Sequence, residues 1–311
     1  MKAEKKRKQG FFHKLYRYRT LLLMLLPSAA LLIVFCYLPI GGLVMAFKRF
    51  NYRDGIFGSP WVGFENFKFF FASGKALSVT RNTALYNLAF IVVNTVLEIL
   101  FAVILSEMAG KWLKKITQSV IFLPYFISWV IVGSIAYSLL SYETGTLNAV
   151  LRNLGMDPVN FYGESGWWPF IIVIFSAWKG VGYGVVVYLA SILGVDGSLH
   201  EAAAIDGANI FQRIRYITLP GITPTVITMT LLALGKIFRG NLDLFYQLVG
   251  QNGALFGTTD VIDTYVFRMT IAATDIGQTV AIGFCQSVLC FITIIIANWI
   301  VKKKDENYSL F

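Results

Sequence analysis

Two groups of residues in this 311-residue chain have types and spacing that could act on something. The first is Glu201-Ala202-Ala203-Ala204-Ile205-Asp206-Gly207, followed ten residues on by Ile217-Thr218-Leu219-Pro220. Small residues there permit close approach by a partner, two carboxylates offer it charge, and a glycine supplies a turn. The second group is scattered through apolar surroundings: Glu98, Lys179, Tyr183, Lys236, Arg239 and Asp243. Charges placed among apolar residues are costly unless they line a cavity or pair. Both groups offer contact and docking chemistry; neither is a bond-making constellation.

Catalytic and metal chemistry find no support. A phosphate-cradling loop needs Gly-Lys followed by Ser or Thr, so that backbone N–H groups and a hydroxyl hold nucleotide and magnesium. The Gly-Lys pairs here, Gly74-Lys75, Gly110-Lys111 and Gly235-Lys236, continue into Ala, Trp and Ile. No paired carboxylates and no nucleophile beside a histidine stand out. His13 and His200 are too few and too far apart to ligate a metal together. Cys36, Cys285 and Cys290 all fall in apolar runs, where cysteine is expected as a small buried hydrophobe. No cofactor is expected.

The elements that must position these residues are membrane spans. The chain is 56% hydrophobic and 14% charged, well below the roughly 25% charged of soluble domains. Several runs reach the ~20 apolar residues that cross a bilayer. Six spans are predicted, at 21–47, 84–108, 116–140, 168–193, 217–237 and 279–301. Pro27, Pro39 and Pro124 fall inside them and are tolerated as kinks. The first run is too long for the core of a signal peptide and lacks a cleavage site, so it reads as a permanent span.

The net charge of +10 follows the positive-inside rule and does not predict nucleic-acid binding, because the basic residues flank the spans. Lysines and arginines crowd residues 1–20, Lys111, Lys114 and Lys115 join the second and third spans, and Lys302, Lys303 and Lys304 open the tail. Both termini are therefore expected in the cytoplasm. Trp112, Trp167, Trp168 and Trp299 fall where interfacial belts are expected. The predicted division is a basic N-terminus (1–20), a first span with an outer loop (21–83), a five-span core (84–301) and a cytoplasmic tail (302–311).

Within the core, residues 194–216 form the polar connection between the fourth and fifth spans. Two short helices are predicted, 199–206 and 209–216, turning at Gly207. Ser198 is expected to cap the first, with Glu201 completing a capping box. One reading of the segment is an amphipathic loop helix lying at the interface; the other is a docking surface. The scattered charges are equally double. Glu98 and Lys179 are placed to pair, and Lys236, Arg239 and Asp243 to share a helical face. Together they read as a polar passage, or as snorkelling chains with an Arg239–Asp243 pair. Tyr183, Tyr188 and Phe245 read as sugar-stacking rings or as packing.

The spacing E-A-A-x3-G-x9-I-x-L-P resembles the coupling motif of permease subunits in ATP-binding-cassette (ABC) importers. The resemblance covers nearly the whole chain and is similar to the LplB-type polysaccharide permeases. It runs through Tyr16-Arg17-Tyr18-Arg19, Gly58-Ser59-Pro60-Trp61-Val62-Gly63-Phe64-Glu65-Asn66-Phe67 and Leu123-Pro124-Tyr125-Phe126-Ile127-Ser128-Trp129. It continues through Trp178-Lys179-Gly180-Val181-Gly182-Tyr183, Asp260-Val261-Ile262-Asp263-Thr264-Tyr265-Val266-Phe267-Arg268 and the terminal Leu310-Phe311. His200 departs from it, where tyrosine is expected. The resemblance implies an all-α, six-helix membrane bundle of the type I importer (MetI-like) fold with a cytoplasmic coupling helix. It implies a second, homologous permease, a cytoplasmic ATPase dimer, an extracellular solute-binding protein and an oligosaccharide substrate. Glu201, Ala202, Ala203, Asp206, Gly207, Leu219 and Pro220 would then receive the ATPase motion. The competing classes are a secondary carrier, which would have no use for a coupling motif, and a membrane scaffold, which would lack polar span residues as well.

Overall fold

The computed structural model describes residues 18–272 and 275–310; the basic cluster before residue 18, His13 and Phe311 lie outside them. The described residues are helical throughout, apart from turns, loops and one isolated antiparallel bridge, Lys48 to Trp61. Five continuous helical segments are long and apolar enough to cross a membrane: Arg19–Phe47, Lys75–Glu107, Ser165–Leu193, Ile210–Leu234 and Ile276–Lys304. A sixth arises only if Lys111–Phe126 and Trp129–Leu140 are taken as one span, and these two meet at 96°.

That break corrects the continuous third span expected from hydropathy. Its cause is local. Pro124 cannot donate a helical hydrogen bond, and the chain tightens there into a 3-10 turn, Leu123–Phe126. Ile127 and Ser128 are extended, and the Ser128 hydroxyl caps the next helix by accepting from Ile131 N–H. Pro27 stays inside a helix, while Pro39 opens the 3-10 stretch Leu38–Phe47 after a π-turn over Ile33–Tyr37.

The second and fourth spans form the main helix pair, and the broken third packs across them. Backbones touch where glycine removes the Cβ. A Cβ at Gly182 would collide with the Ile121 carbonyl, and one at Gly133 with the Gln247 carbonyl. Among the described residues three apolar clusters fill the bundle, the smallest joining Phe70, Val79, Ile262 and Ile282. Of the two larger ones, one holds Tyr86, Val132, Trp168, Ile172 and Phe245; the other holds Leu105, Val181, Val185, Tyr188 and Ile222. Tyr188 and Phe245 are thus packing residues, with Phe245 edge-on to Tyr86 at 4.9 Å.

Trp168 does not join an interfacial belt. It is fully buried, its indole donating to the Phe161 carbonyl at 2.7 Å, whereas Trp112, Trp167 and Trp299 are exposed. Cys36 is exposed on the first helix, Cys285 and Cys290 are half-buried, and all three are free thiols. None of Arg19–Leu32 is buried. Such an all-apolar exposed helix needs lipid or another membrane subunit around it.

Candidate coupling segment and translocation path

The polar segment after the fourth span is a helix, Gly197–Ile205, capped by Asp196, whose side chain accepts from Ser198 N–H at 3.0 Å. Asp196 replaces the expected Ser198 cap because the helix starts two residues earlier than predicted. Ser198 N–H and hydroxyl hold the Asp196 carboxyl below its ordinary value. At the other end Gly207 has φ +80°. Gly207 N–H donates to Ala204 carbonyl (3.1 Å) and Ala208 N–H to Ala203 carbonyl (2.9 Å). This is a Schellman turn, which consumes carbonyls that the helix end would leave open.

Asn209 then caps Ile210–Arg213 in a capping box with Gln212. This second helix is not separate from the fifth span. It continues through a π-turn, Ile214–Thr218, into Leu219–Leu234, with Pro220 in the first turn of the latter. Proline lacks the N–H and would break a regular helix there, and the π-turn lies immediately before it.

Glu201, Ala202, Asp206 and Gly207 are exposed, Ala203 is half-buried, and Leu219 and Pro220 are exposed at the head of the span. Two further residues share this surface, Ile205 (87% exposed) and Phe211 (79%). Sequence reasoning missed them, although an Ile and a Phe within a polar connection were the available signal. The segment is a rigid, capped, one-turn corner with an apolar and acidic outer face.

The scattered charges sort into two polar cavities. One, of about 730 Å³, is lined by Asn94, Tyr125, Ser128, Trp129, Ser176, Lys179, Asn241, Asp243 and Gln247, among others. The other, of about 270 Å³, is lined by Asn87, Asn94, Thr95, Glu98, Tyr188 and Lys236, among others. Asn94 lies in both walls, and its buried Oδ1 has no hydrogen-bond partner.

Glu98 and Lys179 do not pair. Lys179 Nζ donates to the Tyr125 carbonyl at 2.8 Å and the Pro124 carbonyl at 3.4 Å. It lies 5.3 Å from the Trp129 ring centroid. Both carbonyls belong to the 3-10 turn at the helix break, where the Pro124 carbonyl also accepts from Ile127 N–H (3.2 Å), so the lysine adds donors to that turn. Glu98 instead packs against Gly184, where any Cβ would collide with its carboxylate. Tyr183 is half-exposed and stacks on Tyr125 at 5.4 Å, outside the cavity walls.

Arg239 and Asp243 form no ion pair among the described residues, nor do Lys236, Arg239 and Asp243 share a helical face. The fifth span ends at Leu234, and residues 235–241 are non-helical. Asp263, in the outer helix Ile262–Ile271, accepts from Gly240 N–H and from Gln286 Nε2 (2.8 Å). Burial pushes the Asp263 carboxyl up, and those two donors with the Arg239 charge oppose it.

A helical membrane bundle with a capped, exposed corner between two spans and polar cavities among its helices is consistent in architecture with a transport permease. The chain belongs to the family of binding-protein-dependent transport system inner membrane components, whose pattern matches residues 98–306. It is a membrane-spanning transport component and not itself an enzyme. Its relatives include protein LplB of Bacillus subtilis, 33% identical over 94% of this chain and 92% of that protein. A second is the polygalacturonan/rhamnogalacturonan transport system permease protein YteP of Bacillus subtilis, 29% identical over 98% and 94%. Among solved structures, a chain of a bacterial ABC transporter that imports the acidic polysaccharide alginate superimposes with a TM-score of 0.86. It is 31% identical over 95% of this chain and 99% of that one. The fold is that of a type I ABC importer permease.

Proposed function

We propose that this chain is one half of the passage of an ATP-driven importer of oligosaccharides or polysaccharide fragments. The observation that carries this reading is the polar face at membrane depth. Asn87, Asn94 and Glu98 recur at i, i+7 and i+11 along the second span, and both cavities open beside them. Amides, a carboxylate and an ammonium cannot face hydrocarbon without large cost. They face a water-filled path that a second, homologous permease closes. The larger cavity brings two aromatic rings, amides, hydroxyls and one charge of each sign together, which is the chemistry that recognises a sugar's faces and hydroxyls. The relatives that act on polygalacturonan, rhamnogalacturonan and alginate support a saccharide cargo.

The driving partner is a cytoplasmic ATPase pair docked on Glu201, Ile205, Asp206 and Phe211, with Gly207 holding the corner and Leu219-Pro220 passing the motion into the fifth span. An extracellular binding protein delivers the cargo at the far end, and both termini are cytoplasmic. ATP-driven closure biases two states of the path that bind cargo with different affinity.

The test is reconstitution. The chain with its sister permease, ATPase and binding protein should take up oligogalacturonate or alginate oligomers into proteoliposomes when ATP is supplied. The isolated chain should hydrolyse none. Robust hydrolysis by the chain alone would refute the reading, as would outside-only labelling of a cysteine placed at Lys303.

A further inference from the structure

Residues 235–241 run as a strap from the end of the fifth span to the Asn241 cap of the helix Leu242–Val249. The first half satisfies itself with turn hydrogen bonds, ending at Arg239 N–H to the Lys236 carbonyl. The next backbone groups are taken by side chains from three other elements. Gln286 of the sixth span donates to the Phe238 carbonyl (2.8 Å), and Asn87 of the second span to the Arg239 carbonyl (3.0 Å). Asp263 of the outer helix accepts from Gly240 N–H. Gln286 Nε2 also donates to Asp263, so two of these three ties are joined to each other.

The contact is close. A Cβ at Gly240 would lie 2.9 Å from Asp263 Oδ2 and from Val261 Cγ2. The start of the outer helix is itself fixed to the second span. Ile262 N–H donates to Thr83 Oγ1 (2.9 Å), and Asn82 to the Asp260 carbonyl (3.1 Å). Arg268 pairs with Asp260 and lies 4.0 Å from the Phe256 ring centroid. The strap ends carry the passage groups: Lys236 lines the Glu98 cavity, while Asn241 and Asp243 line the Lys179 cavity.

We infer that Asp263 is a positioning residue that ties displacement of the outer helix Ile262–Ile271 to the strap, and through it to Lys236, Asn241 and Asp243 in the passage. A binding protein pressing on that end of the bundle then reaches both cavities through a single carboxylate oxygen. Bonds to a carboxylate are short and strong, which suits a tie that must move without breaking. The inference rests on the importer reading and adds the residue through which cargo delivery is sensed.

The experiment compares Asp263→Ala, Asp263→Asn and Gln286→Leu in the reconstituted complex, with the binding protein loaded with an oligogalacturonate or alginate oligomer. Asp263→Ala should lower the ratio of stimulated to basal ATP hydrolysis about fivefold or more, the lower range for coupling between sites. Basal hydrolysis and complex yield should stay unchanged. Asp263→Asn keeps one acceptor oxygen and should fall between the two, which a merely space-filling role would not produce. Should Asp263→Ala fail to assemble, Asp263→Asn and Gln286→Leu decide through the same ratio. Wild-type ratios in assembled variants would overturn the inference alone, as would equal losses of yield, basal rate and stimulated rate. Absence of stimulation in the wild-type complex would remove the importer reading and the inference with it.

Discussion

Gly207 gives a sharp test of the coupling corner because its cost can be separated into parts. Its φ of +80° lies in the left-handed region, yet a Cβ built there meets nothing within 4 Å. The Cβ of a substituted residue therefore meets no neighbour, and the penalty expected there is conformational. For an ordinary L-residue this is about 1–2 kcal/mol, with asparagine tolerated best. A β-branched side chain is more restricted still. One to two kcal/mol corresponds to roughly a 5–30-fold loss in the population of the formed turn. The series Gly207→Asn, Gly207→Ala, Gly207→Val should therefore lower uptake and substrate-stimulated ATP hydrolysis in that order. Binding-protein docking at the opposite end should be unaffected. Equal activity across the series would refute the reasoning, and so would Gly207→Asn behaving as badly as Gly207→Val.

Two further outcomes follow from the packing and capping. Gly184→Val drives a side chain into the Glu98 carboxylate and should destabilise the bundle by about 1–3 kcal/mol; thermal unfolding in detergent measures it, and Glu98→Ala should relieve part of the loss. The Asp196 carboxyl is held below its ordinary value by Ser198 N–H and hydroxyl, so its capping contribution is full at neutral pH and disappears as pH falls through that depressed value. The hydrogen-exchange protection of Gly197–Ile205, taken relative to the intrinsic rate at each pH, should fall on acidification in wild type, while an Asp196→Ala variant should show the lowered protection at every pH.

Hydropathy located the spans well because each long apolar run answers one requirement, the thickness of a bilayer. What it misplaced were the ends and the break. Residues 75–83 extend the second helix beyond its apolar part, since helix continues wherever nothing stops it. The 96° bend between Phe126 and Trp129 was hidden because a proline in an apolar run is compatible with a mild kink. The turn of the candidate coupling segment was legible from its glycine, whose left-handed angle the turn does require. The segment's cap was not, because Asp196 and Ser198 are both good caps and the helix start decided between them. The charges were the least legible. Pairing Glu98 with Lys179 assumed that opposite charges seek each other, whereas Lys179 bonds two carbonyls of the 3-10 turn at the break. The Lys236–Arg239–Asp243 face assumed a helix that ends at Leu234.

The backbone contacts at Gly133 and Gly182 also set the mechanics of the bundle. Where backbone lies on backbone, two helices cannot slide or bow apart without losing their contact outright. The fourth span is thereby locked to the first half of the broken third, and the second half of the third to the helix Leu242–Val249, while the second span meets the fourth through Glu98 packed on Gly184. The second helix has 33 residues, a length of about 50 Å at 1.5 Å per residue. Pivoted near its middle, a tilt of about 5° moves each end by only ~2 Å, the scale of the helix shifts known in switching proteins. The gearing is close to one to one. In the proposed importer, what reaches the path would then depend more on the two joints, the Gly207 corner and the strap at 235–241, than on the length of helix between them.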